Sequence, residues 1–385
     1  MRVLVSTTVE LGHVLPVVPL ARALLDAGHQ VLWATGGAAC GVVVAAGIDA
    51  EPAGMPDDEL VRRRAAILAS VAGLPPEERP PHVFPAMFGE LLAPRMLEDL
   101  LPLARSWQPD LLVHEQGELA APLVAAVLGV RSLTHGFGSA VPAPFVAAAG
   151  ERLAPMWAEQ GLPVPEYAGC FASPYLDIYP PSLHGDGAAH IPERLLLRPV
   201  SYTGPEPDQL PDIVTAGDDR PLVYLTFGTL HRDVGLVADM LAALAMLDVR
   251  VLATVGPRGD PDALGRQPRH VAVERFVSQS AVLPQCDTVV SHAGSGTVLG
   301  ALALGLPLVC LPQAADQFRN GAAVAKAGAG VVLRPGEATP AAVTSALHAV
   351  LGANGYRHAA AEVAAEIAAM PSPADVVPRL EALVG

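Results

Sequence analysis

The sequence predicts an α/β protein built from two Rossmann-like domains, each a doubly wound parallel sheet with helices on both faces. Short apolar strands alternate with helical segments, a pattern typical of parallel sheets. The pattern runs twice through the 385 residues, and a segment rich in proline and acidic residues separates the two runs. Two such domains in tandem are expected to face each other across a cleft at the carboxyl ends of their strands.

In the first half, strands are predicted at residues 3–7, 30–34, 111–114 and 130–134. The first helix is expected from Leu15 to Ala27, with prolines in its opening turn and Gly28 just beyond its end. Two segments interrupt the alternation: 54–105, which is helical, and 136–192, which is irregular. Because loops on a rigid α/β scaffold often carry specificity, we expect both segments to line a pocket.

In the second half, strands are predicted at residues 222–227, 249–255, 270–273, 288–291, 308–311 and 330–333. The expected organisation is an N-terminal domain over 1–202, a linker over 203–220, a C-terminal domain over 221–372 and a last helix over 373–385.

The composition excludes several classes of partner. Hydrophobic residues make up 51% of the chain, and 39 acidic against 24 basic residues give a net charge of −15. An acidic surface repels nucleic acid and anionic membranes, so neither is expected as a partner. The four cysteines lack the spacing of a disulfide framework or a metal site, and neither a membrane span nor a signal peptide is apparent. We therefore expect a cytoplasmic protein, monomeric or homodimeric, that acts on small molecules.

The segment after the predicted strand 288–291 has the composition of a phosphate-binding turn. It opens a predicted helix, and its small residues let the backbone N–H groups approach an anion that the helix dipole also favours. Hydroxyl and imidazole groups add further donors. The candidate phosphate ligands are His292, Gly294, Ser295, Gly296 and Thr297.

Five motifs occur in an order that is specific to one family. They are Gly12-His13, Leu225-Thr226-Phe227-Gly228-Thr229, Arg275-Phe276-Val277-Ser278-Gln279, the turn from His292 to Thr297, and Asp316-Gln317. With these motifs, nearly the whole chain resembles the metal-independent, inverting glycosyltransferases of the two-Rossmann-domain (GT-B) type, especially the bacterial branch that glycosylates antibiotics.

The resemblance implies a donor site in the second half. Phe276 and Val277 would hold the nucleotide base, Gly228 and Thr229 would approach the diphosphate, and Asp316 and Gln317 would bind sugar hydroxyls. Gln279 belongs to the same base-binding motif.

The resemblance also implies a catalytic base in the first half. The residue matching His13 is the base, and a histidine suits that task because its pKa lies near neutrality. The family's usual partner is an aspartate at the end of a later strand. Here Glu115 occupies that position, one methylene longer.

The expected reaction is inverting transfer of a sugar from a nucleotide diphosphate to a hydroxyl of a hydrophobic natural product in antibiotic biosynthesis. Apolar side chains in the two inserted segments favour a bulky acceptor; the candidates are Met55, Phe84, Phe88, Phe137 and Phe145. Transfer to a ring carbon of an aromatic polyketide and nucleotide-sugar epimerisation are the alternatives. A dehydrogenase is disfavoured because no strand leads into GxGxxG.

No metal and no resident cofactor are expected. The one DxD sequence, Asp260-Pro261-Asp262, lies among Gly and Pro residues, where Asp262 is expected to cap the following helix.

The nucleotide prediction depends on Gly300, eight positions after His292. In relatives that use UDP-sugars, this residue is commonly a Glu that accepts hydrogen bonds from ribose hydroxyls. A deoxyribose lacks one of those hydroxyls and would leave a buried carboxylate poorly satisfied. Glycine therefore favours a dTDP-linked sugar, expected to be a deoxysugar, although close helix packing is the structural alternative.

Overall fold

The computed structural model of the protein describes residues 1–204, 209–228, 234–256 and 259–384. The chain divides into two compact units. Unit 1 comprises Met1–Val200 with Met370–Gly385, and unit 2 comprises Ser201–Ala369.

Unit 1 contains a parallel sheet. Its strands are β1 (Arg2–Ser6), β2 (Gln30–Thr35), β3 (Asp49–Pro52), β4 (Leu111–Glu115), β5 (Arg131–His135), β6 (Tyr175–Asp177) and β7 (Arg194–Leu196). Their order is β3-β2-β1-β4-β5-β6-β7, and every paired neighbour is parallel. The sheet therefore changes winding direction between β1 and β4, where the loops diverge and α/β proteins bind ligands.

The helices of unit 1 cover this sheet. They are α1 (Leu11–Val14), α2 (Val18–Asp26), α3 (Gly37–Ala45), α4 (Asp57–Ser70), α5 (Pro80–Phe84), α6 (Ala93–Trp107), α7 (Ala121–Leu128), α8 (Ala143–Glu159) and α9 (Pro181–His184). A π-helical stretch, Pro85–Leu92, joins α5 to α6. The core packs residues of α6, α7 and α8 with the buried side chains Leu4 and Leu112 of the central strands.

Among its described residues, unit 2 contains a six-stranded sheet that repeats the order of the first six strands of unit 1. Its strands are β8 (Leu222–Thr226), β9 (Arg250–Thr254), β10 (Val271–Glu274), β11 (Thr288–Ser291), β12 (Leu308–Cys310) and β13 (Gly330–Val332), in the order β10-β9-β8-β11-β12-β13. Its helices are α10 (Asp212–Thr215), α11 (Val234–Leu244), α12 (Gln279–Val282), α13 (Ser295–Ala303), α14 (Gln317–Lys326), α15 (Pro340–Gly352) and α16 (Asn354–Ala369). The winding direction changes between β8 and β11, which again places a ligand-binding edge there.

The last helix, α17 (Pro373–Val384), packs against α2 of unit 1. His29 Nε2 lies 3.0 Å from a carboxylate oxygen of Glu381. The sequence predicts this helix but not its partner.

The structure confirms two doubly wound parallel sheets, and the predicted strands agree with it to within one or two residues at each end. Two expectations for the first half are wrong. The helical segment begins at Leu11 rather than Leu15. Pro16 and Pro19 do not mark its start; they lie where it divides into α1, a 3-10 turn and α2. The segment 136–192 is not irregular throughout, since it contains α8 and β6; prolines near the helix start and at residue 155 disguise α8.

Candidate active site

His13 and Glu115 come together in unit 1. Glu115 is the last residue of β4, and His13 lies in α1, the first helix after β1. The sheet changes direction between these two strands. Nδ1 of His13 lies 3.1 Å from Oε1 of Glu115. The His13 side chain is 15% exposed, whereas that of Glu115 is fully buried. The longer glutamate thus reaches the imidazole.

Glu115 is held as a carboxylate by its surroundings. Its Oε1 accepts hydrogen bonds from the backbone N–H and the hydroxyl of Thr8, at 3.2 and 2.9 Å, and its Oε2 accepts one from the N–H of Gly117. Burial pushes the pKa of Glu115 upward, but the His13 ring and these hydrogen bonds outweigh it and hold that pKa below its usual value.

A second histidine, His135, faces Glu115 in register across β4 and β5. Its Nδ1 lies 2.6 Å from the carbonyl oxygen of Gly136. Burial lowers the pKa of His135 to about 4, so its ring is neutral near pH 7. His13 is consequently the better placed of the two to carry a positive charge beside the carboxylate.

Aromatic side chains surround His13. The ring of Phe137 lies 4.1 Å from the His13 ring, centroid to centroid, and that of Phe88 lies 5.6 Å away. Phe84 follows at 4.8 Å from Phe88, and Phe145 lies 6.4 Å from Phe84. Four of the five predicted acceptor residues therefore form one apolar chain that begins at the proposed base.

The fifth, Met55, is buried in a separate cluster with Leu60, Met87 and Leu91, against which Phe88 also packs. Met55 lines a crevice together with Thr8, Gly117 and Glu118. Its volume of about 20 Å³ is enough for one water molecule. Met55 therefore belongs to the apolar cluster against which Phe88 packs.

Glu118 is a buried carboxyl that the sequence reasoning missed. Its two oxygens accept hydrogen bonds from the N–H groups of Ala120 and Ala121, at 2.8 and 3.2 Å, at the start of α7. Burial, with a contribution from the nearby Glu115 charge, raises the pKa of Glu118 to about 7. Unit 1 thus contains two adjacent buried carboxyls with opposite pKa shifts.

In unit 2, the imidazole of His292 is enclosed by two glycines. A Cβ on Gly228 would lie 2.7 Å from Cε1 of His292, and a Cβ on Gly294 would also collide with the ring. Gly228 has φ +74°, a conformation that favours glycine. Gly228, His292 and Gly294, which are all predicted to bind the nucleotide sugar, therefore lie against one another although they come from two loops. Thr229 lies outside the described residues.

The turn after His292 leads directly into α13. Gly294 occupies the position before the helix, so the N–H groups of Ser295, Gly296 and Thr297 belong to its first turn, where intrahelical acceptors are lacking. A Cβ on Gly296 would meet no atom within 4 Å, so its backbone is open to approach. The backbone of this turn has the form of an anion site.

The hydroxyls of this turn have partners within unit 2. Ser295 donates to Oδ2 of Asp316 at 2.6 Å. The amide nitrogen of Gln279 donates to the hydroxyl of Thr297 at 3.3 Å. Because these hydroxyls already make hydrogen bonds, we expect the backbone N–H groups to be the main hydrogen-bond donors to an anion.

Asp316 and Gln317 lie at the start of α14. Gln317 uses its side-chain oxygen to accept hydrogen bonds from the N–H groups of Gln313 and Ala314, at 2.8 and 3.0 Å. Its amide nitrogen is the group it offers to a ligand. Asp316 holds the position before the helix but makes no capping hydrogen bond; its Oδ2 is taken by Ser295 and Asn320.

Phe276, Val277 and Gly300 are the remaining candidates for contact with the nucleotide. The Phe276 side chain is 50% exposed, so it is not a core aromatic and offers a free face for stacking, while Val277 is buried. Gly300 is buried within α13, and a Cβ there would lie 3.2 Å from Cδ1 of Leu283. Gly300 therefore has a packing role whatever its effect on the nucleotide.

Comparison with known proteins identifies the family. The family description "Erythromycin biosynthesis protein CIII-like, N-terminal domain" matches residues 22–228, and the corresponding C-terminal domain matches residues 238–383. The chain belongs to this family of glycosyltransferases.

Individual relatives agree with this assignment. The chain is 35% identical to an elloramycin glycosyltransferase of Streptomyces olivaceus, over 100% of this chain and 98% of the relative. It is 34% identical to an L-demethylnoviosyl transferase of Streptomyces niveus, over 99% and 98%. Among solved structures, the glycosyltransferase SsfS6 of Streptomyces sp. SF2575, complexed with thymidine diphosphate, matches with a TM-score of 0.82 at 32% identity and covers 99% of each chain.

In this glycosyltransferase the DxD sequence forms a turn. Asp260 caps the 3-10 turn Pro261–Leu264 by accepting a hydrogen bond from the N–H of Asp262 at 3.1 Å. The expectation that Asp262 provides the cap is wrong, because its backbone is the donor. Within the described ranges, no group of three or more His, Cys, Asp or Glu side chains is arranged to hold a metal ion.

The four cysteines of the glycosyltransferase are free thiols. Among the residues that the structure describes, no helix is both long and apolar enough to cross a lipid bilayer.

Proposed function

We propose that this glycosyltransferase moves a deoxysugar from a thymidine-diphosphate donor to a hydroxyl group of a hydrophobic natural-product aglycone, with inversion at the anomeric carbon. The observation that carries the proposal is the pair formed by His13 and the buried carboxylate of Glu115. The thymidine diphosphate in the similar SsfS6 structure supports the choice of nucleotide.

The His13–Glu115 pair defines the direction of proton transfer. Because Nδ1 faces an ionised carboxylate at 3.1 Å, the proton of neutral His13 belongs on Nδ1, and Nε2 carries the lone pair. Nε2 removes the proton of the acceptor hydroxyl as its oxygen attacks the anomeric carbon. Glu115 then faces an imidazolium ion and stabilises it, as a buried carboxylate does beside a catalytic histidine.

The leaving group is the nucleoside diphosphate. As the new carbon–oxygen bond forms on one face of the sugar, the bond to the diphosphate oxygen breaks on the other, and negative charge gathers on the phosphates. The N–H groups that begin α13, with His292 beside them, are arranged to neutralise that charge. We therefore assign this task to the protein rather than to a divalent metal.

The acceptor binds along the aromatic chain. Phe137 and Phe88 contact the His13 ring, and the buried Phe84 links Phe88 to the half-buried Phe145. A flat or bulky apolar aglycone stacked there would present a hydroxyl to Nε2.

The test is a transfer assay with purified enzyme, thymidine-diphosphate sugars and a panel of hydrophobic aglycones, read by mass spectrometry. Nuclear magnetic resonance of the product should show an anomeric configuration opposite to that of the donor. Retention of configuration would contradict the mechanism, and activity lost in EDTA and restored by Mg²⁺ would contradict the assignment to the protein.

The same assay separates the alternatives. An O-glycoside is cleaved by acid, so an acid-resistant product would show transfer to carbon instead. Conversion of the nucleotide sugar to its epimer without an acceptor would show an epimerase.

A further inference from the structure

Asn320 joins two parts of the donor site that are separate in sequence. Its side chain is completely buried in α14, and its amide nitrogen lies 3.0 Å from the carbonyl oxygen of Ala293, 3.0 Å from the hydroxyl of Ser295 and 2.9 Å from Oδ2 of Asp316. The first two residues belong to the turn before α13, and the third precedes α14. One amide group thus contacts both loops.

Each loop contains a strained backbone residue. Ala293 has φ +62° and Ala315 has φ +55°, left-handed conformations that are unfavourable for a residue with a Cβ. Such conformations persist where surrounding contacts hold them. Asn320 supplies one such contact by donating to the carbonyl of Ala293.

The same contacts orient the Asp316 carboxylate. Its Oδ2 accepts from both Ser295 and Asn320, so the plane of the carboxylate is defined by protein groups. Oδ1 is the oxygen it can offer to a ligand. A carboxylate held this way loses little conformational freedom when it binds a hydroxyl.

We propose that Asn320 is a positioning residue that fixes the Asp316 carboxylate for the sugar. The inference rests on the proposed function, because it takes Asp316 as a sugar ligand and the α13 turn as a diphosphate ligand. It predicts that replacing Asn320 weakens the binding of a nucleotide sugar more than the binding of the nucleoside diphosphate alone.

The test replaces Asn320 and compares two ligands. Asn320→Asp is nearly isosteric but puts an acceptor where a donor was, facing the Ala293 carbonyl and the Asp316 carboxylate, both of which it repels. Asn320→Ala removes the amide donor without adding a repulsive oxygen. This second variant provides the test if Asn320→Asp does not fold. Calorimetric titration without acceptor gives the Kd of thymidine diphosphate and of thymidine-diphosphate glucose for each variant.

The expected result is a roughly 10- to 100-fold loss of affinity for the nucleotide sugar, with a loss of no more than about threefold for thymidine diphosphate. Thr288→Val is the matched control, because Thr288 is also fully buried in unit 2 and donates to the carbonyl of Pro307 at 2.8 Å. It should lower the thermal unfolding temperature without changing the ratio of the two Kd values.

An equal loss for both ligands, or no loss for either, would overturn the inference and leave the proposed function intact. If the wild-type enzyme bound neither thymidine nucleotide, the proposed function would be wrong and the inference with it.

Discussion

Cε1 of His292 lies 2.7 Å from the position that a Cβ atom would occupy on Gly228. The ring can occupy this place because Gly228 has no side chain, and its φ of +74° is a conformation that favours glycine. Gly228, which follows β8, therefore determines where His292, which follows β11, can lie.

Replacing Gly228 with alanine should weaken donor use by displacing His292. We expect kcat/KM for the nucleotide sugar to fall at least about tenfold. Even a small displacement of a group beside the diphosphate weakens its stabilisation of the transition state. Steady-state kinetics at varied donor concentration measures this.

Gly336→Ala is the control for Gly228→Ala. Gly336 also has a positive φ, +87°, but a Cβ there would meet no atom within 4 Å. Both variants should lose about 1–2 kcal/mol of stability to backbone strain, and Gly228→Ala should lose more because its Cβ collides with His292. Only Gly228→Ala should lose activity. Equal kinetic losses in the two variants would show that strain, and not contact with His292, is the cause.

The His13–Glu115 pair predicts graded losses of turnover. His13→Ala should lower kcat by roughly 10²–10⁴ because it removes the base. Glu115→Gln keeps the shape but removes the charge that stabilises the imidazolium, so we expect a smaller but clear loss. Single-turnover rates with saturating donor measure both. His82→Ala, an exposed histidine of α5, should leave the rate unchanged. Near-native turnover of His13→Ala would remove His13 from the mechanism.

Glu118 predicts that stability falls as pH rises from about 4.5 to 7. Its pKa is about 7 in the folded protein, against a usual value of 4.5, so the folded state binds more protons than the unfolded state within that window. Stability present below pH 4.5 is therefore lost as the pH passes through the folded pKa. Across the window the loss should be on the order of 1–3 kcal/mol.

Urea unfolding of the wild type and of Glu118→Gln at several pH values tests this. Glutamine does not titrate, so the variant should lack that decline and become relatively more stable at pH 8 than at pH 5. Glu115, whose pKa is lowered, contributes a slope of the opposite sign in both proteins. Parallel pH profiles would show that folding does not raise the pKa of Glu118.

The sequence predicts local features of this molecule well and long-range partners poorly. The turn from His292 to Thr297 is evident because its small residues directly follow an apolar strand. Thr8 as a partner of Glu115 could not be predicted, because 107 positions separate them and the sheet order brings them together. The strand β3 was missed because its sequence, Asp-Ala-Glu-Pro, is exposed and lacks a hydrophobic pattern. Asn320 was missed because a buried amide has no periodic signal.

The nucleotide preference predicts stronger product inhibition by dTDP than by UDP. In relatives that use UDP-sugars this position is commonly a Glu, and the resemblance implies that its carboxylate accepts hydrogen bonds from ribose hydroxyls. The glycine of this chain, Gly300, removes that reason to prefer UDP. Competition kinetics with the two diphosphates gives the ratio of their inhibition constants.

Gly300→Ala distinguishes an effect of helix packing at Gly300 from an effect on the choice between dTDP and UDP. The new Cβ would lie 3.2 Å from the flexible end of Leu283 and 3.6 Å from the Ser201 hydroxyl, so a small shift of Leu283 accommodates it. Because alanine adds no hydrogen-bonding group, the ratio of inhibition constants should stay as in the wild type, whereas Gly300→Glu should move it toward UDP. A ratio that changes as much in Gly300→Ala as in Gly300→Glu, or wild-type inhibition by UDP equal to that by dTDP, would show that Gly300 serves helix packing alone.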